Sequence, residues 1–231
     1  MIHRKGKGVK KMRRGQSQEK SVYSLVLSDE VIRAVDRLAY QMNTSRSNMI
    51  NQILAEYTSL LTPQKRMETV FSEIQNLLSD TGFQLLMKPS DSMLSLRQAL
   101  NYKYNPTVRY SIELLRSGAE AKVRLKVILR SQNQTLIHYL NQFFSLWQQL
   151  EVKVGGIGKR WSIEDTKYVR ELMLPDENVS DEDFGQMIAS YIQALDQGMN
   201  TFFDYLEDPS SAVRSTEAVY RDYLSGKGGL V

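Results

Sequence analysis

The spacing of hydrophobic and polar positions changes several times along the chain, and each change marks an element. From Ser21 to Leu27, Tyr23, Leu25 and Leu27 alternate with Val22, Ser24 and Val26, the two-residue period of a β-strand. Beyond Ser28 the period lengthens, with Val31, Val35, Leu38 and Met42 at helical spacing. Ser28 is a good N-cap, and Asp29 and Glu30 suit the positive end of a helix dipole, so a helix is predicted over about 29–42. Asn43 accepts the left-handed conformation that ends a helix. Ser45 then caps a second helix with Met49, Ile50, Ile53, Leu54 and Tyr57 on an apolar stripe. Pro63 marks the end of this module.

Past Pro63, Met67, Val70, Phe71, Ile74, Leu77 and Leu78 predict an amphipathic helix closed by Asp80 and Gly82. Phe83–Met87 reads as a strand, while Asp91–Tyr102 fits both a helix capped by Asp91 and a further strand. The strongest sheet signal is a hairpin: Val108, Tyr110, Ile112 and Leu114 alternate in one run, Val123, Leu125, Val127 and Leu129 in the next, with Ser117-Gly118 between them. A helix follows through Leu136, Leu140, Phe143, Trp147 and Leu150, then a short strand over Val152–Val154, a glycine loop, and Trp161 in a returning strand. Ser180–Asp183 forms a capping box for a helix that turns Phe184, Met187, Ile188, Tyr191, Leu195, Phe202 and Leu206 inward and ends at Pro209. A last helix spans about Ala212–Leu224 and stops at Gly226.

Charge sharpens this picture. Residues 1–20 hold Arg4, Lys5, Lys7, Lys10, Lys11, Arg13, Arg14 and Lys20 against Glu19 alone, leaving 22 of the 30 basic and 25 of the 26 acidic residues to the remainder. The net +4 is therefore a strongly positive arm on a slightly acidic body. Such an arm seeks polyanions, and with almost nothing to bury it is predicted to be disordered in isolation. It lacks the interleaved aromatic and leucine residues of a lipid-inserting segment. The chain has no cysteine and only two histidines, which excludes disulfides, thiolate zinc sites and cysteine nucleophiles; neither a metal nor a cofactor is expected. No run approaches the ~20 apolar residues of a membrane span, and the basic start is not followed by a signal peptide's apolar segment, so a cytoplasmic protein is expected.

The stretch Ser21–Leu60 resembles the ribbon-helix-helix family, the Arc/MetJ- and CopG-type DNA-binding proteins. One short strand, the Ser-Asp-Glu helix start, the Val-Asp-Arg-Leu-Ala core and Asn-Thr-Ser-Arg-Ser at the second helix occur in the family's order and spacing, over about 40 of 231 residues. The resemblance implies a homodimer. A lone strand has no partner within its module, so its backbone groups and its Tyr23, Leu25 and Leu27 face are satisfied by pairing antiparallel with a second copy. Such a two-stranded ribbon fits the major groove of double-stranded DNA, with Val22, Ser24 and Val26 facing the bases. Most family members carry a long polar or basic side chain there. Valine contacts only thymine methyls and serine discriminates weakly, so this ribbon supplies little base specificity. The exposed amides around Ser45, Arg46 and Ser47 suit a backbone phosphate, and the arm adds further phosphate or minor-groove contacts.

The implied architecture is α+β: a basic arm (1–20), a ribbon-helix-helix module (21–62), a domain with an antiparallel sheet covered by helices (63–208), and a C-terminal helix and tail (209–231). The implied role is transcriptional regulation, including repression. The alternative is an accessory protein of a relaxosome or partition complex on a plasmid or other mobile element, recruiting a partner protein or effector through the larger domain. No nucleophile–base pair or phosphate loop points to an enzyme. Gly155-Gly156-Ile157-Gly158-Lys159 lacks Walker A spacing and reads as a hairpin loop, His138 has no matching partner, and Asp181-Glu182-Asp183 reads as a helix start. Arg109, Arg116, Lys122, Arg124, Lys126 and Arg130 form a basic stripe opposite the hairpin's core face, which reads as a solvated sheet face or as a second nucleic-acid or partner surface.

Overall fold

The computed structural model describes residues 24–58, 63–90, 92–117, 120–155, 160–164, 166–173 and 179–226. The basic arm, Val22 and Tyr23, the Gly118 turn position and most of the 155–159 glycine loop lie outside the described residues.

Helices α1 (Asp29–Gln41) and α2 (Arg46–Tyr57) form an N-terminal pair. Ser28 Oγ accepts from the Val31 amide at 3.4 Å and Ser45 Oγ from the Asn48 amide at 3.2 Å, so both predicted caps are in place. Asn43 has φ +49°, the left-handed residue that turns the chain between them. Val35, Ala39 and Met49 are buried where the helices meet, with Ile50 against them.

The rest is one body. It is a mixed α+β arrangement in which a six-stranded, fully antiparallel sheet is covered on one face by helices. In chain order come α3 (Pro63–Ser79), β1 (Gln84–Leu85), β2 (Met93–Ala99), β3 (Thr107–Ser117), β4 (Glu120–Leu129), α4 (Gln134–Gly155), β5 (Arg160–Glu164), β6 (Lys167–Met173), α5 (Asp181–Asp204) and α6 (Pro209–Ser225). The sheet order is β1-β2-β3-β4-β6-β5. The β3–β4 register pairs Val108 with Leu129, Tyr110 with Val127, Ile112 with Leu125 and Leu114 with Val123, the two apolar faces the alternation predicts. Leu94 and Leu96 of β2 extend that face, which resolves the 91–102 ambiguity as a strand.

Two expectations are corrected and one element was unforeseen. Val152–Val154 is not a strand but the last turns of α4, because Trp147, Leu150 and Glu151 keep the helical period against the core while Val152 faces solvent. Pro209 does not end α5, which stops at Asp204; it opens α6, where the missing N–H of a first-turn residue costs nothing and Asp208 caps the Ser210 and Ser211 amides. α6 buries Ala212, Thr216 and Tyr220 in the common interior, which ties residues 209–225 to the 63–208 body. The unforeseen element is β6, since its inward positions Tyr168, Arg170 and Leu172 place an arginine at the centre of a buried face.

Candidate nucleic-acid interface

Residues 24–26 of the module are uncovered. Ser24, Leu25 and Val26 are exposed, Val26 completely, and residues 24–28 pair with no strand among the described residues. Leu25 and Leu27, expected to pack on a helical core, find none in a single copy: Leu25 is 57% exposed and Leu27 half-buried. The helices repeat this. Val31, Leu38, Met42, Ile53, Leu54 and Tyr57 are all exposed, so most of the apolar stripe of both helices meets nothing within the chain.

At the start of α2, Ser45, Arg46 and Ser47 stand together on the surface, and first-turn amides there have no intrahelical acceptor. Thr44 Oγ1 accepts from Asn48 Nδ2 at 2.7 Å, which stiffens the approach to the helix. The Arg46 side chain has a partner within the module. Its guanidinium forms a two-pronged pair with Asp36 on α1, Nε to Oδ1 and Nη2 to Oδ2 both at 2.6 Å, rather than pointing freely outward. That bond holds the Asp36 carboxyl below the ordinary carboxylate range. Arg46 therefore fixes the α1–α2 angle, and any phosphate contact it makes is shared with Asp36.

The basic stripe on the sheet is partly neutralised. Arg124 bonds Glu171 at 3.0 Å, and Lys126 bonds Glu113 at 2.5 Å, a residue Arg124 also approaches at 3.9 Å. Arg109 and Arg130 have no carboxylate partner among the described residues, while the side chains of Arg116 and Lys122 lie outside them. His138 is engaged with Gln142 one helical turn on, at 3.0 Å. Ser180 Oγ accepts from the Asp183 amide and Asp181 pairs with Arg66 of α3, the helix-start role predicted for these acids. Among the described residues no cluster of His, Cys, Asp or Glu is arranged to hold a metal ion, and no helix is long and apolar enough to cross a membrane.

Comparison with known protein families, characterised proteins and solved structures returned no match.

Two buried polar clusters escaped the sequence reading. In the first, Arg170 Nε donates to Glu151 Oε2 at 2.9 Å, Tyr191 Oη donates to Glu151 Oε1 at 2.6 Å, and Trp147 Nε1 donates to Tyr191 Oη at 3.3 Å. Arg170 also donates to the Glu171 carbonyl and lies over the Trp161 ring, 5.7 Å from its centroid. Burial, and then the Glu151 carboxylate, push the phenols of Tyr168, Tyr191 and Tyr220 upward, so Tyr191 remains a proton donor. Glu151 and Arg170 are each 1% exposed and bond other groups of the interior, the geometry of a packing element.

In the second, Tyr110 Oη donates to Asp196 Oδ1 at 2.6 Å and Asn200 Nδ2 to Asp196 Oδ2 at 3.2 Å. Burial pushes the Asp196 carboxyl up from 3.8 to about 6, against the lowering effect of these two donors. A group whose pKa rises on folding stabilises the folded state below its unfolded value and loses that contribution as pH climbs through the folded one. Between pH ~4 and ~6 stability is therefore expected to fall by up to about 3 kcal/mol on account of Asp196. Denaturant titrations of the wild type and Asp196→Asn across that window check this: the wild-type decline should be absent from the variant, and parallel curves would refute the assignment.

Proposed function

We propose that the chain is a dimeric DNA-binding protein whose N-terminal module, residues 21–62, is of the ribbon-helix-helix type. The observation that carries the reading is the incompleteness of this module in one copy. Residues 24–28, unpaired among the described residues, lead into two correctly capped helices whose shared interior there is Val35, Ala39, Met49 and Ile50. Their larger apolar side chains are left in water. Isolated monomers rarely tolerate so much uncovered apolar surface on so small a unit, and a second copy supplies both the missing strand and the missing core. In that dimer Val22, Ser24 and Val26 face the major groove, the start of α2 approaches a phosphate, and the arm follows the backbone.

The weak discrimination offered by valine and serine makes phosphate contacts the main source of affinity. Light scattering should give twice the chain mass. Binding to duplex should weaken steeply with salt, and neutralising the eight basic arm residues should flatten that dependence by several units of slope. Monomeric mass at the concentrations used for binding, or affinity indifferent to salt, would refute the proposal. Footprinting then separates a regulator, which protects a short inverted repeat, from an accessory protein, which occupies repeated sites and recruits a partner. The second reading is favoured by one observation: the 63–226 body has its own complete core and is far larger than DNA binding by such a module requires.

A further inference from the structure

We infer that the helix-free face of the sheet carries a second DNA contact, a phosphate-backbone site formed by Arg97, Arg109 and Arg130. The inference rests on the DNA-binding reading above and extends it to the larger body.

The register places Arg97 of β2 directly opposite Arg109 of β3 on the uncovered face. Like charges in directly opposed positions of an antiparallel pair destabilise it, so this pairing works against the sheet unless an anion lies between the two guanidinium groups. Arg130, exposed, directly follows Leu129 at the end of β4, beside β3. The turn between β2 and β3 adds exposed Lys103 at the same end.

Elsewhere on this face each described cation on β4 and β6 has a carboxylate: Arg124 has Glu171, Lys126 has Glu113, and Lys167 has Glu164. At the Arg97 corner there is none among the described residues. Arg97 Nε donates to the neutral Gln84 side chain at 3.1 Å, and neither Arg109 nor Arg130 pairs with an acid among the described residues. At that end Asp204 belongs to the helix layer and accepts from Asn101. Next along the strands, Ser95 and Ser111 bond each other at 3.1 Å and are buried, so the arginines rise from a closed, small-residue floor.

The shape of the site selects its occupant. A single small anion is held in an enclosed pocket, whereas here the cations, Arg97 and Arg130 exposed and Arg109 half-buried, are spread across three adjacent strands, a span of roughly 10 Å at the spacing of β-strands. Repeating charge at that scale is what a nucleic-acid backbone presents, and guanidinium is the side chain best shaped to meet phosphate oxygens. Such contacts position a duplex without reading it.

The test compares full-length wild type, Arg97→Gln/Arg109→Gln, Arg97→Lys/Arg109→Lys and a variant with the arm's basic residues neutralised. Each is checked for fold by circular dichroism and titrated against a specific and a scrambled duplex over a range of salt. The glutamine variant is expected to bind both duplexes more weakly, with a salt slope shallower by about 2, one unit for each lost phosphate contact, and the lysine variant to keep the wild-type slope. A folded glutamine variant with wild-type affinity and slope overturns the inference; if the arm variant is impaired in the same experiment, the N-terminal reading survives alone. Absence of duplex binding by the wild type overturns both.

Discussion

Replacing Arg170 with methionine is expected to destabilise the protein by about 3–5 kcal/mol, the cost of leaving a buried carboxylate without its counter-charge. Arg170 and Glu151 are each 1% exposed, on β6 and α4, so Glu151 cannot turn to solvent when its partner is removed. Among the described residues Tyr191 Oη would remain its one strong donor, too few for an ionised carboxylate. Glu151→Gln should be milder, since an amide oxygen still accepts from Tyr191 or Arg170, although the guanidinium is then left uncompensated. The double variant Arg170→Met/Glu151→Leu should recover much of the loss, because removing both charges removes the desolvation that their attraction offsets. Urea titrations of the two single variants and the double close the cycle. A loss under about 1 kcal/mol for Arg170→Met would mean that water reaches the pair and that it does not organise the core.

The second large effect concerns assembly. Leu38→Glu/Leu54→Glu places charge on side chains that are 42% and 50% exposed in one copy and buried in the proposed dimer. Burial of a leucine contributes about 1.5–3 kcal/mol, and a dimer loses four, so dissociation should rise well beyond about 100-fold. Light scattering should find a monomer, and duplex binding should fall by a comparable factor because two half-ribbons no longer join. The sheet body should melt as before, since its core shares no residue with the Val35–Ala39–Met49 cluster. A variant that stays dimeric, or binds DNA undiminished as a monomer, would rule out this face as the dimer contact.

Arg46 shows how a site residue shifts in meaning between sequence and structure. Next to Ser45 and Ser47 at a helix start it reads as a phosphate ligand, and its position there is as expected. Ten residues earlier, Asp36 has Arg33 and Arg37 as its basic neighbours in the chain; only the α1–α2 turn brings Arg46 within 2.6 Å of it. The Arg97–Arg109 opposition is hidden for the same reason. Arg109 was visible as part of a stripe, but Arg97 lay in a segment whose element type was open, and only the register of β2 on β3 set the two side by side.

Where a residue's surroundings are its own neighbours in the chain, the sequence alone was sufficient. Ser28, Ser45 and Ser180 cap the helices that follow them, Asn43 turns left-handed, and the alternation of Val108–Leu114 against Val123–Leu129 determines both faces and the pairing of the central hairpin. These are short-range effects of hydrogen bonding and of periods 2 and 3.6. Tertiary structure decided the rest: that α4 runs through Val152–Val154, that an arginine-centred segment is strand β6, and that Pro209 opens a helix. Each depends on a partner far along the chain, Glu151 for Arg170 above all, and a charge becomes a core residue only when folding delivers its counter-charge.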